Sequence, residues 1–109
     1  MALYMVQATY TTEALATMTK NPQDRTVPVK AIAEKLGGRL IGFYYCYGEY
    51  DVVGLSEFPD DNTATAFALA AMSPGHLKAF KTTKLFTTEE TMEAMRKAGS
   101  VTLQPPSRG

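Results

Sequence analysis

Residues 39–58 confine the fold more tightly than any other stretch of the chain. Two runs rich in β-branched and aromatic side chains, 39–47 and 50–58, are separated only by Gly48-Glu49. Such runs form strands. A two-residue connection joins them as a tight antiparallel hairpin, and glycine in its first position predicts a type II′ turn with positive φ at Gly48. This register sets Tyr47 opposite Tyr50, Cys46 opposite Asp51 and Tyr45 opposite Val52. Successive side chains point to opposite faces. One face then carries Phe43, Tyr45, Tyr47, Tyr50 and Val52, and the other Tyr44, Cys46, Asp51, Val53 and Leu55. Neither face is cleanly polar. An antiparallel sheet with helices on one side should show a wet second face, so the second face is expected to be covered, most simply by another copy of the chain.

The flanking segments supply two more strands and the helices. Residues 3–10 mix β-branched, aromatic and apolar side chains and read as a strand. Thr11 or Thr12 caps a short helix through Glu13, Leu15, Ala16 and Met18, which Asn21-Pro22 ends. A second helix takes Asp24 or Thr26 as its cap, holds Pro28 in its first turn, pairs Ile32 with Leu36 on one face beside Ala33, and stops at Gly37-Gly38. Pro59-Asp60-Asp61-Asn62 breaks the hairpin's second strand and offers caps to an alanine-rich helix at 63–72, whose apolar stripe is Ala64, Phe67, Ala68, Ala71 and Met72. After Ser73-Pro74-Gly75 comes a strand at 76–86 with Leu77, Phe80 and Leu85. Thr87-x-x-Glu90 is a capping box for a last helix with Met92 and Met95 on one face. Residues 100–109 hold two adjacent prolines and little apolar content, which predicts an extended, mobile tail after a single domain at 1–99. Strand, broken helix, strand, strand, helix, strand, helix is the split βαβ, or ferredoxin-like, α+β order with a four-stranded antiparallel sheet.

Composition closes off several functions. A chain of 109 residues suits one domain. Eleven basic and eleven acidic side chains leave no net charge, whereas a general nucleic-acid binder carries a basic excess. One cysteine and one histidine exclude an internal disulfide and a cysteine/histidine zinc site, so no metal is expected. No apolar run approaches the roughly 20 residues that span a bilayer, and no basic region followed by an apolar core marks a secretory signal. The expectation is a soluble, cytoplasmic protein without a membrane or nucleic-acid partner.

Candidate chemistry gathers around the hairpin and the last strand. In Tyr47-Gly48-Glu49-Tyr50-Asp51, Asp51 could accept a proton while Tyr50 orients a substrate oxygen; structurally, Asp51 would instead bind nearby backbone N–H groups. His76 is the one side chain whose ordinary titration lies near neutral pH. It opens the last strand, near the open face of the sheet, as a ligand contact, a proton shuttle or a hydrogen-bonded strand end; haem ligation finds thin support in one histidine. Tyr44, Tyr45, Tyr47 and Tyr50, with His76, could line an apolar pocket with polar tips, or serve as core and interface residues. Cys46 reads as a buried small hydrophobe. Lys78, Lys81 and Lys84 read as a solvated set, and Arg25 as a carboxylate holder or, by default, half of a surface ion pair. Glycine motifs for nucleotides and a Ser/His/Asp order are absent. The carboxylate pairs Asp60-Asp61 and Glu89-Glu90 are explained by helix starts.

Gly48-Glu49-Tyr50-Asp51-Val52-Val53 resembles the motif that names the GYD-domain family of the dimeric α/β-barrel superfamily. The resemblance extends to Asn21-Pro22-x-Asp24-Arg25, Glu34-Lys35-Leu36-Gly37-Gly38, Gly75-His76-Leu77-Lys78-Ala79 and Glu93-Ala94-Met95-Arg96-Lys97-Ala98, and so to roughly residues 3–99. Pro28 and Phe80 depart from the pattern and bear on the start of the second helix and on cavity size. The resemblance implies a ferredoxin-like fold whose sheets pair in a homodimer or larger homo-oligomer, and no shared reaction or cofactor. Related barrels include cofactor-free monooxygenases, haem-degrading enzymes, lactone isomerases and effector-binding domains of some transcription regulators, an analogy at the level of fold. The expected function is an oligomeric small-molecule-binding protein for an apolar or aromatic ligand. The alternatives are a cofactor-independent enzyme of the same cleft, with His76, Asp51 and Tyr50 handling protons, and a stress or assembly protein without a ligand.

Overall fold

The computed structural model describes residues 1–107. Its elements run β1 (Ala2–Tyr10), α1 (Thr12–Lys20), α2 (Thr26–Lys35), β2 (Arg39–Tyr45), β3 (Val52–Phe58), α3 (Asp61–Met72), β4 (Leu77–Leu85) and α4 (Thr88–Ala98). The strands form one sheet in the order β2-β3-β1-β4, and every neighbouring pair is antiparallel. This is the ferredoxin-like α+β fold expected, with α1 and α2 as the two pieces of the broken first helix.

Alternation in the two central strands sets the core. Tyr4, Val6, Ala8 and Tyr10 of β1 are buried, as are Val52, Ser56 and Phe58 of β3. The register places Tyr4 beside Ser56, Val6 beside Gly54 and Ala8 beside Val52, all on one face. Ala33 of α2 and Ala64 and Phe67 of α3 close over that face. The Phe58 and Phe67 ring centroids are 5.1 Å apart. Nearer the other end of the sheet, Ala8, Tyr10 and Val52 pack with Leu15, Met18, Phe43 and Leu77, and Phe80 touches both clusters.

Most helix boundaries fall where the caps predict. Thr11 accepts a hydrogen bond from the Ala14 N–H at 3.1 Å, Asp60 from the Thr63 N–H at 2.8 Å, and Thr87 and Glu90 form the reciprocal capping box. At α2 the cap position falls on Arg25, which makes no side-chain capping bond; Asp24 binds the Thr26 N–H one step earlier, at 2.9 Å. Pro28 lies in the first turn, where its missing N–H has no helical partner.

The hairpin differs from the expected turn. The strands end at Tyr45 and Val52, and Tyr45 pairs with Val52 as predicted. The Cys46 N–H still reaches the Asp51 carbonyl at 2.9 Å, but beyond that pair the chain forms a wider loop. The residue with positive φ is Tyr47, at 48°, and not Gly48. Two contacts account for this. The Asp51 N–H donates to the Ala8 carbonyl at 2.9 Å, which draws the start of β3 toward β1. The Tyr47 ring stacks on Tyr45, with centroids 5.8 Å apart. Cys46 is exposed rather than buried.

The sheet's second face has no helix over it. Met5, Val53 and Leu55 are half-buried there, and Tyr44 is 63% exposed. α4 also stands apart. Met92 and Met95 share a face, as expected, but every residue of α4 is exposed.

Candidate functional site

The chemistry-bearing residues converge on the end of the sheet where β1 and β2 finish and β3 and β4 begin. Tyr10 is the hub. Its backbone N–H donates to Asp51 Oδ2 at 2.9 Å, and the next N–H, of Thr11, donates to the His76 carbonyl at 2.9 Å. The register of β1 against β4 slips here, with Thr9 opposite Ala79 and Tyr10 opposite Leu77. Such a bulge re-aims the side chains around it.

Above this end lies a cavity of about 100 Å³ between the sheet and helices α2 and α3. Val6, Ala8, Val52 and Gly54 form its floor, Val29, Ile32, Phe67 and Phe80 are among its walls, and Arg25, Tyr10 and His76 supply its polar rim. The small side chains of Ala8, Gly54, Ala70 and Ala71 leave the space open. A groove of about 290 Å³ along α1 shares Tyr10, Arg25 and His76 with the cavity and adds Thr11, Glu13 and Thr17. A third depression lies between α1 and the stacked Tyr45 and Tyr47, over Leu15, Met18 and Pro22.

Burial, reinforced by the neighbouring Tyr45 hydroxyl, pushes the Tyr10 phenol up to about 12, against the opposing pull of the Arg25 charge. At neutral pH Tyr10 is therefore a protonated hydrogen-bonding group and not a base. Arg25 is half-buried. It does not form the surface ion pair expected by default: among the described residues the ion pairs are Arg39 with Glu57, Lys84 with Asp61 and Arg96 with Glu93.

The sequence-derived candidates divide. His76 lies at the rim of the cavity and the groove, on the helix-covered side of the sheet rather than near its open face. Tyr45 and Tyr47 line the third depression. Tyr44 pairs with Val53 on the opposite face, away from all three. Tyr50 lies in the hairpin loop, where its carbonyl accepts from the Gly48 N–H at 2.9 Å and from Cys46 Sγ at 3.1 Å. Asp51 lies at the right end of the sheet, but its carboxylate is engaged by the Tyr10 N–H, and neither it nor Tyr50 lines the cavity or either depression. One residue of the rim, Tyr10, is not among the sequence-derived candidates. Tyr10 reads simply as the end of a strand. Arg25 reads from the sequence as a carboxylate holder or, by default, half of a surface ion pair, and the structure places it at the rim.

Among the described residues no group of three or more His, Cys, Asp or Glu side chains is placed to hold a metal ion, and no helix is long and apolar enough to cross a membrane. The family model described as GYD domain matches residues 4–95. No curated protein matches the chain. Among solved structures, a crystal structure of MtbAldR superposes with a TM-score of 0.52 at 12% identity over 79% of this chain. The chain spans 52% of the length of that protein. A crystal structure of FFRP-DM1 gives a TM-score of 0.49 at 13% identity, covering 79% of this chain and 100% of that one. Identity this low speaks to fold alone.

Proposed function

The chain belongs to the GYD domain family, and from that premise we propose that it is a homo-oligomeric protein that binds a small apolar or aromatic molecule in the cavity between its sheet and helices. The observation that carries this reading is the cavity itself, apolar on its floor and walls with three polar groups at one rim. Ligand sites are built in this way. Its volume of about 100 Å³ is below the roughly 150 Å³ of an apolar cavity that takes benzene. The buried part of the ligand is therefore a branched aliphatic group or, with slight side-chain movement, one ring. Binding is favoured over proton-transfer catalysis because the Asp51 carboxylate is engaged by backbone and neither Asp51 nor Tyr50 lines the cavity. An assembly protein without a ligand leaves the cavity unexplained.

A second copy over the open sheet face completes the proposal, in the manner of a dimeric α/β barrel. The chain exposes 7825 Å², and a compact monomer of 11.9 kDa exposes about 5,950 Å². The excess of roughly 1,900 Å² per chain is shared among the open face, α4 and the exposed residues 99–107, and it exceeds the roughly 800 Å² that each partner of a standard interface buries.

The test is titration of the whole chain with benzene and with 3-methylbutanamide, followed by backbone amide chemical shifts. Saturable shifts are expected at Ala8, Phe67 and Leu77. Ala71→Leu, which adds a side chain to the cavity wall, should abolish them while the rest of the spectrum persists. Linear, unsaturable responses to both probes would overturn the reading.

A further inference from the structure

Of the described basic side chains, Arg25 alone is withdrawn from solvent; the other arginines and the lysines are exposed. Its guanidinium nevertheless has no carboxylate within ion-pair distance among the described residues. Its one side-chain bond is a long one, Nη1–H to Gln23 Oε1 at 3.4 Å. A guanidinium offers five N–H donors in a planar fork, and most of those of Arg25 have no partner among the described residues. Arg25 also sits where the apolar cavity meets the groove along α1, and His76 and the Tyr10 hydroxyl are further side-chain donors on that rim. Glu13 lies in the same groove, exposed on the first turn of α1 and beyond ion-pair distance of Arg25.

We propose that the ligand is a carboxylic acid, its short apolar part in the cavity and its carboxylate held in bidentate fashion by Arg25 with His76 as a second donor. This rests on the reading of the cavity as a ligand site. The planar fork matches a carboxylate in geometry, and one full positive charge at the rim suits a monoanion. The apolar walls exclude a ligand that is polar throughout.

The experiment compares 3-methylbutanoate and benzoate with their neutral amides, 3-methylbutanamide and benzamide, on the full chain at pH 7 and low salt, by chemical-shift titration. Each acid is expected to bind at least tenfold more tightly than its amide. Arg25→Gln should erase that preference. Arg25→Lys, which keeps the charge and loses the fork, should retain only part of it. Equal affinity of acid and amide overturns the carboxylate proposal and leaves the cavity site standing. A preference that survives Arg25→Gln overturns it too, because the anion is then held elsewhere. Saturation by neither class overturns both this proposal and the site on which it rests.

Discussion

Gly38 sits where the chain passes from α2 into β2, against the Phe58 ring and the Glu57 carbonyl oxygen, and a Cβ there would overlap both. One of the two obstacles is backbone and the other a fully buried ring, so neither yields easily. Gly38→Ala should cost about 2–3 kcal/mol, as overpacking of a filled core does. Gly48 meets nothing within 4 Å at the position of an added Cβ, and its φ is not positive; Gly48→Ala should stay within about 0.5 kcal/mol of the parent. Chemical denaturation of the two variants side by side checks both figures, and the reverse ranking would refute this account of the two turns. The sequence points to glycine at the hairpin tip because glycine is the usual bearer of positive φ. Here a tyrosine takes that conformation. Its ring contact with Tyr45 and the grip of Asp51 on β1 come from neighbours in space, which a reading of adjacent residues does not contain.

Each helix cap depends on three or four consecutive residues, and so the sequence narrows the caps to Thr11 or Thr12, to Asp60-Asp61-Asn62 and to Thr87; the structure selects Thr11, Asp60 and Thr87. Asp60 gives the sharpest test. Its carboxyl is held below the usual carboxylate range by the Thr63 hydroxyl and then by the Thr63 backbone N–H. A lowered folded-state pKa means that this contribution is present above the ordinary aspartate range near 4 and is lost as pH falls through the folded value. Asp60→Ala should therefore lower the melting temperature by a few degrees at pH 7, and the gap to the parent should narrow in acid; an unchanged gap at pH 3 would contradict the capping role. The strands were equally legible, since a period of two survives in a short window. The cavity was not. Its floor comes from β1 and β3 and its walls from α2, α3 and β4, and its emptiness is a matter of volumes that do not quite fill one another across that distance. Tyr44, Tyr45 and Tyr47 illustrate the limit: a run of similar side chains in the sequence is divided between the two faces and the loop of the folded hairpin.

The whole chain is larger than its length warrants. Its radius of gyration is 18.2 Å, against about 13 Å for a compact domain of this size; α4 and residues 99–107 are exposed throughout. The apolar open face and the excess exposed area set the size of the particle expected in solution. Sedimentation at micromolar concentration should give at least a dimer, and Leu55→Asp on the open face should shift it toward monomer; a parent that sediments near 11.9 kDa would remove the basis for paired sheets. α4 draws the further consequence. An isolated helix of eleven residues is marginal in water, since nucleation costs more than so few hydrogen bonds return, and its capping box is a modest help. If a second copy supplies neighbours to this exposed segment, its helix content depends on association. Circular dichroism at 222 nm should then weaken on dilution, so that the last stretch of the chain reports how crowded its own kind is.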